Sequence, residues 1–328
     1  MQGILKSFNI YIYMITHLFD VSRASHGIMQ GILKKFPGQV SSNIDFLSGG
    51  RVVHVKSKNI FEDLKKSEKI FMGDVDFFHD FFNKESLWDR LIFYDYRDNT
   101  NLIKTIPRKV VYFKRSLFLG NERKPKKFDR KIYPISHCAL DEYFLETCDK
   151  TYDIGCFFDI NNENLGKRRR NLLLTLLKEN LPNSLIGTST GFANKARIAI
   201  SKSNEKNFFY DFLKLQKQCK IIFTAQPELV DGDNRTWEAL ASGSLVFCER
   251  SLIPVDHPLI DGYHCLFFDA NSIFSIKKAI EKAKYYLNNQ LPREKIAKNG
   301  MEFTKKYHMG TNRVQQMLLV KKKLKFLL

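Results

Sequence analysis

IIFTAQPELVDGDNRTWEALASGSLVFCE, Ile221 to Glu249, is the stretch whose reading decides the fold. It joins an apolar run, Cys219 to Thr224, to a polar loop carrying Asp231, Gly232, Asp233 and Asn234. A helical stretch, Arg235 to Ser242, follows and is stopped by Gly243; a second apolar run, Leu245 to Cys248, comes next. Short apolar runs bounded by turn residues read as strands buried on both faces, and strands alternating with helices make a parallel sheet. Asp233 or Asn234 can cap the helix, and Glu238 stands in its first turns with Arg235 and Ser242 on its face. A helix that begins beyond a strand's carboxyl end offers free N–H groups and the positive end of its dipole to a phosphate.

The same alternation extends outward from this segment. Before it come a strand Tyr152 to Phe158, a helix Arg168 to Lys178, strands Ser184 to Gly187 and Ala196 to Ile200, and a helix Asn207 to Gln216. After it come a strand Cys265 to Phe268 and helices Ile273 to Leu287, Arg293 to Tyr307 and Thr311 onward. The first half repeats the logic, with strands expected at Ile10 to Ile15, Arg51 to Val55, Lys69 to Met72, Leu91 to Tyr94 and Lys109 to Phe113, and a helix at Ser25 to Lys35. These five runs read as buried parallel strands. Gly120 to Arg130 is a charged surface loop, and Ser136 to Cys148 reads as a helical connector. The chain therefore divides into an acceptor-side domain 1–148, a nucleotide-type domain 149–306, and a last helix 307–328 long enough to cross back to the first domain.

A length of 328 residues with 44% hydrophobic and 13% aromatic content supports two cores of ordinary size and excludes wholesale disorder. The net charge of +18 draws phosphate-bearing partners, although abundant Lys, Asn, Ile and Phe are also what an AT-rich genome encodes. The six cysteines lack CxxC spacing and read as reduced core residues of a cytoplasmic protein. MQGILKSF at Met1 to Phe8 returns as MQGILKKF at Met29 to Phe36; it reads as a local duplication or an alternative start, since a solenoid needs three units.

RTWEALASGSLVF resembles the nucleotide-sugar signature of the GT-B glycosyltransferases. HPLIDGYHCLFFD and REKIAKNGMEFTKKY resemble the closing strand and helices of the same domain. With DIGCFFD (Asp153 to Asp159) and KRRR (Lys167 to Arg170), the pattern is most similar to the group 1 or CgeB-like branch. The resemblance implies a fold of two Rossmann-like, doubly wound α/β domains facing an interdomain cleft. It implies transfer of a sugar from a nucleotide-diphosphate donor to a glycan, lipid-linked or protein acceptor, with no cofactor and no required metal. It implies that Glu238 binds the donor ribose, with Ala241 and Gly243 keeping its helix close to the sheet. The donor-binding set becomes Glu238, Arg235, Asn234, Thr236, Gly243, Lys195 and Arg197. Many such enzymes carry a second glutamate eight residues before the ribose-binding one, and here that position is Val230; Glu228 is near but displaced.

A departing nucleoside diphosphate needs cations or helix N-termini to take its charge; Arg235, Lys195 and Arg197 are the first candidates, then Lys114 and Arg115. An inverting reaction also needs a base. His26 and Asp74 are the leading candidates, and Asp20 and Asp76 share their place at apparent strand ends. Asp74-Val75-Asp76 also resembles the DXD metal motif of the GT-A transferases, whose fold has no such C-terminal series. Two other classes compete: a basic nucleic-acid-binding protein, prompted by KRRR and the terminal KKKLK, and a catalytically silent GT-B module. The first lacks any recognisable nucleic-acid-binding pattern, so no nucleic-acid partner is expected. The basic tail with Phe326, Leu327 and Leu328 suits peripheral contact with an anionic membrane.

Overall fold

The computed structural model describes residues 14–18, 23–43, 46–48, 51–73, 79–97, 101–117, 120–121, 124–125, 131–144, 148–157, 165–181, 183–187, 212–226, 234–253 and 255–325. The first half builds a six-stranded sheet from β1 (Met14–Leu18), β2 (Val40–Ser42), β5 (Ser67–Met72), β6 (Leu91–Asp95), β7 (Val111–Lys114) and β10 (Ile132–Pro134). Its order is β10-β7-β6-β5-β1-β2 and every pairing is parallel. Period-two alternation sends Ile70, Met72, Leu91, Phe93 and Tyr112 to one apolar layer. Phe71, Ile92, Tyr94, Val111 and Phe113 go to the other. A strand buried on both faces reads as a near-continuous apolar run, which makes these runs legible in the sequence.

The second half builds a five-stranded parallel sheet in the order β12-β11-β13-β14-β15, from β11 (Tyr152–Phe157), β12 (Ser184–Gly187), β13 (Cys219–Phe223), β14 (Leu245–Cys248) and β15 (Leu266–Phe267). The helix Leu165–Asn180 packs Leu173, Leu174 and Leu177 on one face, beside Ile276, Ala279, Ile280 and Ala283 of the helix Ile273–Asn288. Those four positions follow the i, i+3, i+4, i+7 stripe of an amphipathic helix. Its first turn is capped by Ser272, whose Oγ accepts the Ser275 N–H at 3.2 Å. The helix Asn234–Ala241 covers the opposite face with Trp237, Ala239, Leu240 and Ala241.

The C-terminal helix Gly310–Lys325 packs into the first unit. Its Val314 and Met317 join Ile28 and Ile32 of the helix Arg23–Lys35 over the first sheet. The two helices cross on glycines: a Cβ on Gly310 would overlap the Gly27 carbonyl, and one on Gly31 would overlap the Gly310 backbone. Backbone cannot yield as a flexible side chain does. Gly310→Ala is expected to destabilise the fold by about 3 kcal/mol, seen as a lowered thermal midpoint; an unchanged midpoint would show that the crossing tolerates a wider separation.

Asp95, at the end of β6, anchors a buried polar network. It accepts from Tyr112 OH at 2.5 Å and Arg97 Nη2 at 2.9 Å, and pairs with Lys114 Nζ at 3.1 Å. Lys114, a candidate for the departing diphosphate, is fully buried against this carboxylate and donates to Arg97 O. Burial by itself raises the Asp95 pKa, but Arg97, Lys114 and Tyr112 together outweigh it and hold the carboxyl below its ordinary 3.8. A carboxyl depressed by folding stabilises at pH above its unfolded value, and that stability disappears as pH falls through the folded value. Urea-unfolding stability is therefore expected to drop below pH 3.8 in the parent and to flatten in Asp95→Asn; parallel acid limbs would refute the assignment.

Three expectations need correction. Arg51–Val53 is not a parallel core strand: as β4 it pairs antiparallel with β3 (Phe46–Ser48) in a separate ribbon. The Gly49-Gly50 dipeptide between them was a hairpin signal that the β-branched run outweighed. Ser136 to Cys148 is not a helix in its described residues: 135–138 run without helix, Ala139 bridges to Met309, and only Asp141–Phe144 forms a 3-10 turn. Tertiary partners for its backbone replaced the local ladder. The Gly120 to Arg130 loop holds a short ribbon, β8 (Gly120–Asn121) with β9 (Lys124–Pro125). The three-residue strands β2 and β10 are too short for periodicity to reveal. The expected strand Ala196 to Ile200 lies outside the described residues, as do Ile10 to Tyr13 of the first expected strand and Asn207 to Asp211 of the expected helix Asn207 to Gln216.

Candidate active-site cleft

The carboxyl edges of the two sheets enclose a cleft of about 280 Å³. From the first unit it is lined by Arg115, just past β7, and by Ile135, Ser136 and His137, just past β10. From the second come Gln226 past β13, Glu249, Arg250, Ser251 and Ile253 past β14, and Thr236 and Trp237 in the first turn of Asn234–Ala241. Open α/β sheets bind ligands beyond the carboxyl ends of their strands, because there the loops gather and helix N-termini point outward.

The first-unit wall is organised by Tyr96. Its carbonyl accepts Arg115 Nε at 2.9 Å, its hydroxyl donates to Ser136 O at 3.2 Å, and its ring stacks on His137 with centroids 5.0 Å apart. Burial holds the Tyr96 phenol well above its ordinary pKa, so it stays protonated and a donor. On the second-unit wall Glu249 ties three elements together. Its Oε1 accepts from Arg169 Nη1 at 2.8 Å and the Ala270 N–H at 3.3 Å, and its Oε2 from the Gln226 N–H at 2.8 Å. Arg169 Nη2 also donates to Gln226 O at 3.1 Å, and Arg170 donates twice to Ala225 O. Arg169 and Arg170 of the KRRR run are thus buried and spent inside the protein, which removes half of the basic cluster that prompted a nucleic-acid reading. Arg250 lies 4.6 Å above the Phe267 ring, a cation–π contact at the rim.

Among the expected donor residues, Thr236 lines the cleft and its Oγ1 is 3.0 Å from Thr224 Oγ1. Glu238 is 1% exposed, and its Oε1 accepts Asn234 Nδ2 at 3.3 Å. Arg235 is half-buried in the same first turn. Gly243 closes the helix at its far end, with a left-handed φ of 71° and its N–H bonded to Leu240 O at 3.1 Å. That end is clasped by Lys150, whose Nζ donates to Ser242 O at 3.1 Å and Ser244 Oγ at 3.0 Å; burial pulls this amine down to about 8. The structure therefore brings Asn234, Arg235, Thr236 and Glu238 together and sets Gly243 apart from them. His26 lies in the first turn of Arg23–Lys35. Asp74, Lys195 and Arg197, with Asp20 and Asp76, lie outside the described residues. Among the described residues no group of three His, Cys, Asp or Glu is placed to hold a metal ion, and no helix is long and apolar enough to cross a membrane.

His137, Trp237, Glu249 and Arg250 were not singled out from sequence. The one signal they carried was position, since several directly follow a buried strand.

Two parallel α/β units whose carboxyl edges face each other across a cleft define the GT-B glycosyltransferase fold. Residues 168–319 match the family model described as glycosyl transferase-like. A glycosyltransferase from Rickettsia africae ESF-5 superposes with TM-score 0.60 at 14% identity, over 95% of this chain and 98% of that one. An alpha-glucosyltransferase in complex with UDP and a 13-mer DNA containing an HMU base gives 0.63 at 12% identity, over 94% and 100%. HepE of Anabaena in complex with UDP-glucose gives 0.59 at 9% identity, over 94% and 99%. A comparison of the sequence with curated proteins finds no match.

Proposed function

We propose that this protein is a nucleotide-sugar-dependent glycosyltransferase of the group 1 or CgeB-like kind, moving a hexosyl or related sugar from a UDP-type donor to a glycan, lipid-linked or protein acceptor. The observation that carries the reading is the cleft itself: a helix N-terminal turn (Thr236, Trp237) enters it from one sheet, and arginines stand on opposite walls, Arg115 and Arg250. A leaving diphosphate develops negative charge, and buried N–H dipoles and guanidinium groups stabilise it without reorganising. The glycosyl transferase-like match over 168–319 and the UDP-glucose bound to the like-folded HepE support the same chemistry. In this reading Glu238 takes the ribose hydroxyls, Asn234, Arg235 and Thr236 contact the donor, and Lys195 and Arg197 add charge. His26 or Asp74 serves as base, and the arginines replace a metal. Division at residue 148, with 307–328 as a crossing helix, belongs to the same proposal. The six cysteines are all free, which suits a cytoplasmic enzyme, and the basic tail suits contact with a membrane carrying the acceptor.

Calorimetric titration with UDP-, GDP- and dTDP-sugars, followed by release of free nucleotide, tests the reading. One donor is expected to bind and turn over. Binding without turnover would instead make the protein a silent sugar-nucleotide module, and no binding would end the proposal. A DNA acceptor is the second reading, prompted by the +18 charge and the DNA bound to the like-folded alpha-glucosyltransferase; steeply salt-dependent duplex binding would favour it.

A further inference from the structure

The C-terminal helix carries a buried cation that reaches both walls of the cleft. Arg313 is 4% exposed, and its guanidinium is satisfied by main-chain carbonyls and one imidazole. Nε donates to Ser136 O at 2.9 Å and His137 O at 3.2 Å, and Nη2 donates to His137 O at 3.0 Å. Ser136 and His137 line the first-unit wall. Nη2 also meets His308 Nδ1 at 2.5 Å. Arginine has only donors, so Nδ1 must accept, and the imidazole proton then sits on Nε2, where it is given to His257 O at 2.9 Å. The His308 ring lies flat on Trp237, centroids 3.7 Å apart and planes 14° apart, and Trp237 lines the opposite wall. Beside these contacts the segment after β10 meets the start of the C-terminal helix, the Ala139 N–H donating to His308 O at 2.8 Å.

We infer that Arg313 is a positioning residue for the reaction: through Ser136 and His137 on one side and the neutral His308–Trp237 stack on the other, it fixes the separation of the two cleft walls. This rests on the reading of the cleft as the place of sugar transfer. Spacing matters there because a donor held between the two walls keeps its contacts with both only at one separation, and losing those to one wall weakens binding. The arrangement needs a neutral imidazole, since a protonated Nδ1 would point a proton at the guanidinium. His308 meets that need: burial first, then the Arg313 charge, hold it well below its ordinary range; the hydrogen bond to His257 O opposes them, and the neighbouring His257 and His264 rings add smaller lowering effects. Cys138, Tyr96 and Asp256 also face Arg313, each acting against the lowering of its pKa by burial.

The test uses the full chain with Trp88→Phe, which leaves Trp237 as the one tryptophan of the two in the sequence. Protonated imidazole quenches a stacked indole, so Trp237 emission between pH 8 and 5.5 reports His308 directly. The parent is expected to show flat emission. Arg313→Gln is expected to lose emission on acidification, because one of the causes depressing His308 is gone, and to raise the UDP-sugar KM by about tenfold with a smaller change in kcat. Arg313→Lys keeps the charge and loses the fork; its emission should stay flat while KM still rises. Flat emission and parental KM in Arg313→Gln would overturn the inference, as would a parental KM in Arg313→Lys should the glutamine variant fail to fold. If no variant, nor the parent, turns over any nucleotide sugar, the glycosyltransfer reading falls, while the emission data still decide what Arg313 does to His308 and Trp237.

Discussion

Glu238→Gln is expected to lower kcat/KM for the nucleotide-sugar donor by about 100-fold, with the thermal midpoint moved by no more than a few degrees. The side chain is 1% exposed and sits in the first turns of Asn234–Ala241, two residues on from the cleft-lining Thr236 and next to Trp237. Glutamine keeps the volume and an Oε1 that can still accept from Asn234 Nδ2, so the packing has little to lose. What disappears is the negative charge. A hydroxyl donating to a carboxylate makes a charge-assisted bond roughly twice as strong as one to a neutral amide oxygen, and losing that increment of about 1–1.5 kcal/mol at each of the ribose hydroxyls is the source of the expected loss. Steady-state release of UDP and differential scanning calorimetry on the same preparation check it. Normal donor turnover at an unchanged midpoint would remove Glu238 from the site and leave the fold assignment standing.

The largest stability effect is expected at Glu249. Replacing it with alanine leaves the Arg169 guanidinium, 6% exposed, buried without its carboxylate and strips partners from the Gln226 and Ala270 N–H groups. Breaking one side of a buried ion pair costs about 3–5 kcal/mol, because the surviving charge remains desolvated. Urea unfolding followed by circular dichroism measures this. The double variant Arg169→Met with Glu249→Met should recover much of the loss, since a matched apolar pair removes the stranded charge together with its partner. A single-variant loss below about 1 kcal/mol would mean that the cleft floor hydrates Arg169 and that the pair is not buried in solution.

The two variants probe different things on one wall. Glu238 is tested through chemistry at constant fold, whereas Glu249 is tested through fold, because its two oxygens join the ends of β13 and β14 to the helix Leu165–Asn180 and to the segment after β15.

Sequence by itself determined the longer buried parallel strands, since a strand covered on both faces reads as a near-continuous apolar run and Ile221 to Cys248 shows this twice around one short helix. It also determined where the helix Asn234–Ala241 begins and that Gly243 ends it, because caps and left-handed glycines act within a few residues. What it left open was whatever depends on contacts between distant segments. Arg51–Val53 became a ribbon, and 135–138 gave up helix because Arg313, far along the chain, takes the Ser136 and His137 carbonyls. Arg169 and Arg170 read as a basic surface run, yet the fold turns both inward onto Ala225, Gln226 and Glu249. The tertiary structure alone decided that Arg115, His137, Trp237 and Glu249 share one cleft. The physical reason is that each lies beyond the end of a different element, so no local period or motif records their meeting; only closure of two sheets, held by a helix that returns to the first unit, brings them together.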